Sequence, residues 1–173
     1  MMMPSLLQKN KGFTLIEILV AIGVLTLILG ATISLIMMLV QSRSRSQIVG
    51  EVDGQGTNIM QTLAQTIRNA SSIAAPATGA SASAVSLVMS DSAKSPTSFS
   101  LSGGIISMTE GSTAAVPLSS SQVTVSNLSF LNLSRPSTPG VIRIQFTVSY
   151  STGAYAYSKN FIGAASLRQL VLK

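Results

Sequence analysis

Between Phe13 and Val40 the chain runs for 28 residues with one ionisable side chain, Glu17. No other feature limits the possible folds so sharply. As an α-helix the run is roughly 42 Å long, whereas about 20 residues and ~30 Å cross the hydrocarbon core of a bilayer. It is long and apolar enough to span a membrane. A carboxylate one turn inside such a run costs on the order of 2.5–3.5 kcal/mol on insertion scales. Either Glu17 lies near the headgroups or is protonated, or it has a partner, and the physics alone leaves both readings open.

The flanking residues add a direction. Lys11-Gly12 followed by Phe13-Thr14-Leu15-Ile16-Glu17-Ile18 and a long apolar run resembles the class III signal of type IV pilins and type II secretion pseudopilins. The resemblance covers residues 9–40. It implies that a membrane-embedded prepilin peptidase cuts between Gly12 and Phe13 and methylates the new amino group of Phe13. Gly12 would fit the peptidase, and Lys9 and Lys11 would hold the leader on the cytoplasmic side. It also implies that Glu17 pairs with the N-terminal ammonium of a neighbouring subunit as the helix leaves the bilayer for a filament. The implied partners are the peptidase, other pilin or pseudopilin subunits, an assembly platform in the membrane and the lipid bilayer. The implied location is the cytoplasmic membrane, single-pass with an extracytoplasmic head, and after assembly a cell-surface or periplasmic filament.

Residues 1–12 form the leader. An ordinary secretory signal carries its apolar stretch ahead of the cleavage site and loses it, whereas here the apolar stretch lies beyond Gly12. Charge does not set the orientation, because Lys9 and Lys11 on one side are matched by Arg43 and Arg45 on the other. Those two arginines read most simply as solvated residues ending the span, and more sharply as a grip on outer-leaflet headgroups or on an adjacent subunit. Within residues 13–40, Gly23 and Gly30 weaken the helix by up to ~1 kcal/mol each relative to alanine. Their spacing is not that of a GxxxG packing motif. Members of the family often place a helix-breaking proline here, and this sequence has none between Phe13 and Pro76.

Residues 41–74 continue the helix in amphipathic form. Ile48, Val52, Ile59, Leu63, Ile67 and Ala70 make one apolar stripe, on which a globular head would pack or, in the sharper reading, a helix of another subunit. Gly50, Gly54 and Gly56 predict a bend. Pro76 and Gly79 stop the helix, and Ser71 to Ser83 reads as loop. Residues 75–173 then form a β-rich head, because the period changes to two. Short strands are expected at 85–89, 97–101 and 105–109, with Gly103-Gly104 as a turn. Longer ones follow at 123–133, 141–150 and 155–162. In the second of these Ile142, Ile144, Phe146 and Val148 alternate with Arg143, Gln145, Thr147 and Ser149, the pattern of a half-buried antiparallel strand. The expected fold class is α+β and pilin-like, a long N-terminal helix packed on a C-terminal antiparallel head.

The chemistry that is missing narrows the function. The sequence has no histidine and no cysteine, which removes the usual zinc ligands, a histidine general base and a thiolate nucleophile. Beyond residue 74 only Asp91 and Glu110 are acidic; their separation of 19 positions gives no support for a paired-carboxylate site, and they are few for a calcium site. No cofactor, metal or catalytic residue is assigned. Residues after Val40 carry a net charge of about +5, scattered except for Arg43 and Arg45.

The reading is therefore a structural subunit of a type IV pilus or secretion pseudopilus, nearer a minor pilin or pseudopilin than a major one. The alternative is an uncleaved, single-pass anchored binding protein or adhesin. A third reading, DNA capture through Arg135, Arg143 and Lys159, rests on charge alone.

Overall fold

A computed structural model describes residue 12 and residues 14–136, 138–152 and 155–168. Among the described residues one α-helix, α1 (Leu15–Asn69), precedes nine strands: β1 (Ala70–Ala75), β2 (Ser81–Ala82), β3 (Val85–Met89), β4 (Thr97–Ser102), β5 (Ile105–Glu110), β6 (Val116–Pro117), β7 (Thr124–Asn132), β8 (Val141–Thr152) and β9 (Tyr155–Ser166). A short 3-10 turn, Ser92–Lys94, lies between β3 and β4. The strands form two antiparallel sheets, ordered β1-β3-β4-β5-β6 and β2-β7-β8-β9. This is the α+β, pilin-like arrangement expected. Two compact units share the chain, Met1–Ser44 and Arg45–Lys173.

In the second unit the apolar stripe of α1 supplies one wall of a single core. Ile48, Val52, Ile59, Leu63, Ile67 and Ala70 are all buried. All but Ile48 belong to the cluster that also holds Val85, Leu87, Phe99 and Ile106 from the first sheet and Phe130, Ile142, Ile144, Phe146 and Val148 from the second. The stripe is therefore covered by this chain's own head, and the reading of it as a seat for another subunit's helix is set aside. The alternation along β8 is realised residue for residue, with Ile142, Ile144, Phe146 and Val148 inside and Arg143 outside. Gly103 and Gly104 take φ of 57° and 79°, the left-handed pair of a two-residue hairpin turn. They join β4 to β5 with Ser102 paired to Ile105.

Three expectations are corrected. The helix closes at Asn69 rather than running to 74, and Ala70–Ala75 pairs antiparallel with β3. That segment holds Ile73 as its one large apolar side chain among alanines and serines, too few for a period of two to show. The stretch read as loop thus contains β1 and β2, and with β6 the head has three strands beyond the expected six. Third, α1 remains helical through Gly50, Gly54 and Gly56.

Gly56 has a packing reason. A Cβ built there would overlap the ring of Phe161. That ring stacks on Phe146 with centroids 5.4 Å apart. This contact is one rung of a ladder in which β9 runs parallel to α1. Lys159, Phe161, Gly163 and Ala165 of β9 are registered with the inward residues Val148, Phe146, Ile144 and Ile142 of β8, and Tyr157 and Tyr155 continue the same alternation opposite half-buried Tyr150 and exposed Thr152. Lys159 Nζ lies 3.0 Å from Asp53 Oδ1, Phe161 covers Gly56, and a Cβ on Gly163 would come within 2.8 Å of Met60 Sδ. Two strand residues advance about 6.7 Å and three to four helical residues about 4.5–6 Å, so strand and helix stay nearly in step.

The Asp53–Lys159 pair is roughly half exposed on both sides and contributes at most about 1 kcal/mol. The apolar rungs carry more. Gly56→Ala is expected to destabilise the head by about 1–3 kcal/mol through overpacking, offset by at most ~1 kcal/mol of helix propensity. Gly54→Ala, which meets no neighbour within 4 Å, should be neutral or stabilising. Thermal unfolding of the two variants checks the contrast, and Gly56→Ala combined with Phe161→Leu should recover part of the loss.

Candidate functional site

Of the segment singled out by sequence, residues 9–40, the structure describes Gly12 and the residues from Thr14 onward. Lys9, Lys11 and Phe13 lie outside the described residues, so the expected scissile bond is seen from one side. Gly12 is exposed, and a Cβ added to it would meet nothing within 4 Å. Packing within this chain does not require a glycine there.

The helix starts at Leu15, directly after Thr14, whose carbonyl accepts from the Glu17 N–H at 3.1 Å and the Ile18 N–H at 3.3 Å. Threonine is favoured at such an N-terminal position. Glu17 falls in the first turn of α1, where unpaired N–H groups and the positive end of the helix dipole favour a carboxylate. Helix geometry thus offsets part of the cost of an acid in an apolar run.

The other polar side chains between Leu15 and Val40 are satisfied within the helix. Thr26 Oγ1 donates to the Gly23 carbonyl at 2.8 Å, Thr32 Oγ1 to the Leu29 carbonyl at 2.8 Å, and Ser34 Oγ to the Gly30 carbonyl at 2.9 Å. In lipid, where water cannot satisfy polar groups, such bonds make hydroxyls tolerable. Glu17 differs, since its carboxylate makes no hydrogen bond or ion pair among the described residues.

The apolar side chains of this run are uncovered. Leu15 is 82% exposed, and none of the most apolar 18-residue window is buried. By length and composition this is the one described helix able to cross a membrane.

The three cations considered for DNA do not share a face. Arg143 points to the outer side of its sheet, whereas Lys159 is registered with inward Val148, reaches Asp53 and sits 5.5 Å over the Phe161 ring. Arg135 lies in the loop after β7. Among the described residues no three His, Cys, Asp or Glu side chains are grouped as metal ligands would be.

A cleft of about 600 Å³ has Ser71, Ser134 and Thr138 among its lining residues, with Ile73, Leu167 and Arg168. Buried Asn132 anchors one side, donating from Nδ2 to the Pro76 carbonyl at 2.8 Å and accepting from the Ser134 N–H at 3.0 Å. Its polar core is internally satisfied. Sequence reading did not find Asn132 or the Asp53–Lys159 pair, because both depend on contacts between segments far apart in the chain.

No curated protein and no solved structure matches the chain. A family model described as the prokaryotic N-terminal methylation motif matches residues 7–33. That stretch includes Gly12, Thr14 and Glu17 and most of the uncovered helix, so the chain carries at its N-terminus the signal of type IV pilins and pseudopilins.

Proposed function

We propose that this chain is the precursor of a filament subunit, cut between Gly12 and Phe13 by a prepilin peptidase and N-methylated on Phe13. It waits in the cytoplasmic membrane as a single-pass protein with its head outside. It then enters a type IV pilus or a secretion pseudopilus, with a minor subunit favoured over a major one. It does no catalysis of its own. One observation carries the reading: the methylation motif coincides with a helix segment whose apolar side chains are uncovered and whose single acid has no partner among the described residues.

The chemistry follows from that mismatch. An apolar helix surface without an internal partner is stable in lipid or against other apolar helices. Cleavage after Gly12 would create an ammonium four residues ahead of Glu17. In a filament that ammonium and a neighbour's Glu17 would neutralise each other where water is scarce. Removing one partner of a buried pair leaves an uncompensated charge costing about 3–5 kcal/mol, so each misregistered neighbour is penalised. The lack of any packing demand for glycine at position 12 supports an external enzyme as the reason for it.

Two outcomes are expected. Co-produced with an active prepilin peptidase, the wild type should give an intact mass and N-terminal peptide starting at methylated Phe13, and Gly12→Asp should remain full length. A full-length wild type, alongside a control substrate that is cut, would favour the uncleaved anchored binding protein. Glu17→Gln should be inserted and processed like the wild type, yet enter filaments at least tenfold less, as sheared-filament immunoblots would report.

A further inference from the structure

The ladder between α1 and β9 ends in a cleft of about 280 Å³ lined by Arg45, Ile48, Val49, Tyr155, Ala156 and Tyr157. Among the described residues no carboxylate lines it. The nearest acids along the helix, Glu51 and Asp53, come about one and a half turns or more after Arg45. Arg45 makes no ion pair and neither tyrosine hydroxyl makes a hydrogen bond among the described residues. Two phenols and a guanidinium, all donors, therefore share one cleft with no acceptor assigned to them.

Connectivity fixes where such a cleft can be. Arg45 follows Val40, the last residue of the apolar run, by five positions. Five residues cannot extend beyond about 18 Å, and in the α-helical form assigned here they rise about 7.5 Å. The polar layer on each side of the hydrocarbon is about 5–7 Å thick. No fixed arrangement of the two compact units is needed, since the covalent link keeps Arg45 close to the edge of the apolar run. Tyrosine is favoured at that depth because its ring is apolar and its hydroxyl polar, and arginine binds phosphate oxygens through its planar fork.

We propose that this cleft is a seat for the phosphate of an anionic phospholipid headgroup, held by Arg45 with Tyr155 and Tyr157 while the subunit waits in the membrane. The proposal rests on the membrane-anchored reading above. Arg45 then acts as a ligand for lipid rather than as a solvated end to the span, and β9 reports the lipid to the head, because its first residues line the seat and its later ones hold α1. Extraction into a filament exchanges the lipid for whatever covers this face next. Volume is sufficient, since 280 Å³ is several times the ~30 Å³ of a water molecule.

The test uses the full chain in vesicles of phosphatidylcholine alone or of equal parts phosphatidylcholine and phosphatidylglycerol. Flotation measures anchoring, and amide hydrogen exchange by mass spectrometry measures the seat. Exchange in the peptides covering 45–49 and 155–157 should slow several-fold in the anionic vesicles. High salt should weaken the difference, and Arg45→Gln or Tyr155→Ser should abolish it while flotation is unchanged. Equal exchange in both lipids with normal flotation would overturn the seat and leave the anchor standing. Failure to float with either lipid would remove the anchored reading and the seat together. Protection that survives Arg45→Gln in the anionic vesicles would likewise reject it.

Discussion

The chain contains far more apolar helix surface than it can bury. The stripe from Ile48 to Ala70 is covered by two sheets, whereas the side chains from Leu15 to Val40 are exposed among the described residues. Hydrophobic burial scales with area removed from water, so a 55-residue helix whose apolar side chains from Leu15 to Val40 are exposed favours an apolar phase around them. Lipid or the helices of other copies meets that demand. The internal satisfaction of Thr26, Thr32 and Ser34 makes the segment compatible with either, and leaves Glu17 as the group whose needs only a partner or a polar interface can meet.

In the head, the same helix is fixed by β9. The strand faces α1 with residues of different kinds, a lysine on Asp53, a phenylalanine on Gly56 and a glycine under Met60. Each rung matches size or charge to the helix position it meets. Placing Phe161 over a glycine lets strand and helix approach closely while the ring also stacks on Phe146. The cleft proposed as a headgroup seat is the first step of that ladder, lined by Tyr155 and Tyr157 of the same strand whose later residues meet α1.

The parts legible from residues alone were those with a strong period. Val52 to Ile67 repeats at helical spacing and Ile142 to Val148 at strand spacing, and each is buried where the pattern puts it. The N-terminal methylation motif was legible because it is a short linear stretch that needs no folded context. The strands β1, β2 and β6 escaped because alanine, serine and proline leave no apolar alternation. The face of β9 escaped because Tyr, Tyr, Lys, Phe and Gly do not look like one surface until Asp53, Gly56 and Met60 supply the other half. The glycines at 50–56 suggested a bend for the same reason: glycine lowers helix propensity, but what Gly56 does here is admit Phe161.

In the function proposed for this chain, the uncovered helix is the assembly surface and Glu17 sets its register. The chain has no native cysteine, so single-cysteine variants at Leu25 and Ile28 report helix contacts without background. In cells assembling the filament, oxidative cross-linking between copies carrying cysteine at these positions should give dimers with native Glu17 and almost none with Glu17→Gln. Cross-linking at equal yield in both backgrounds, or no cross-link at any position of the run in filaments that contain the subunit, would contradict the account.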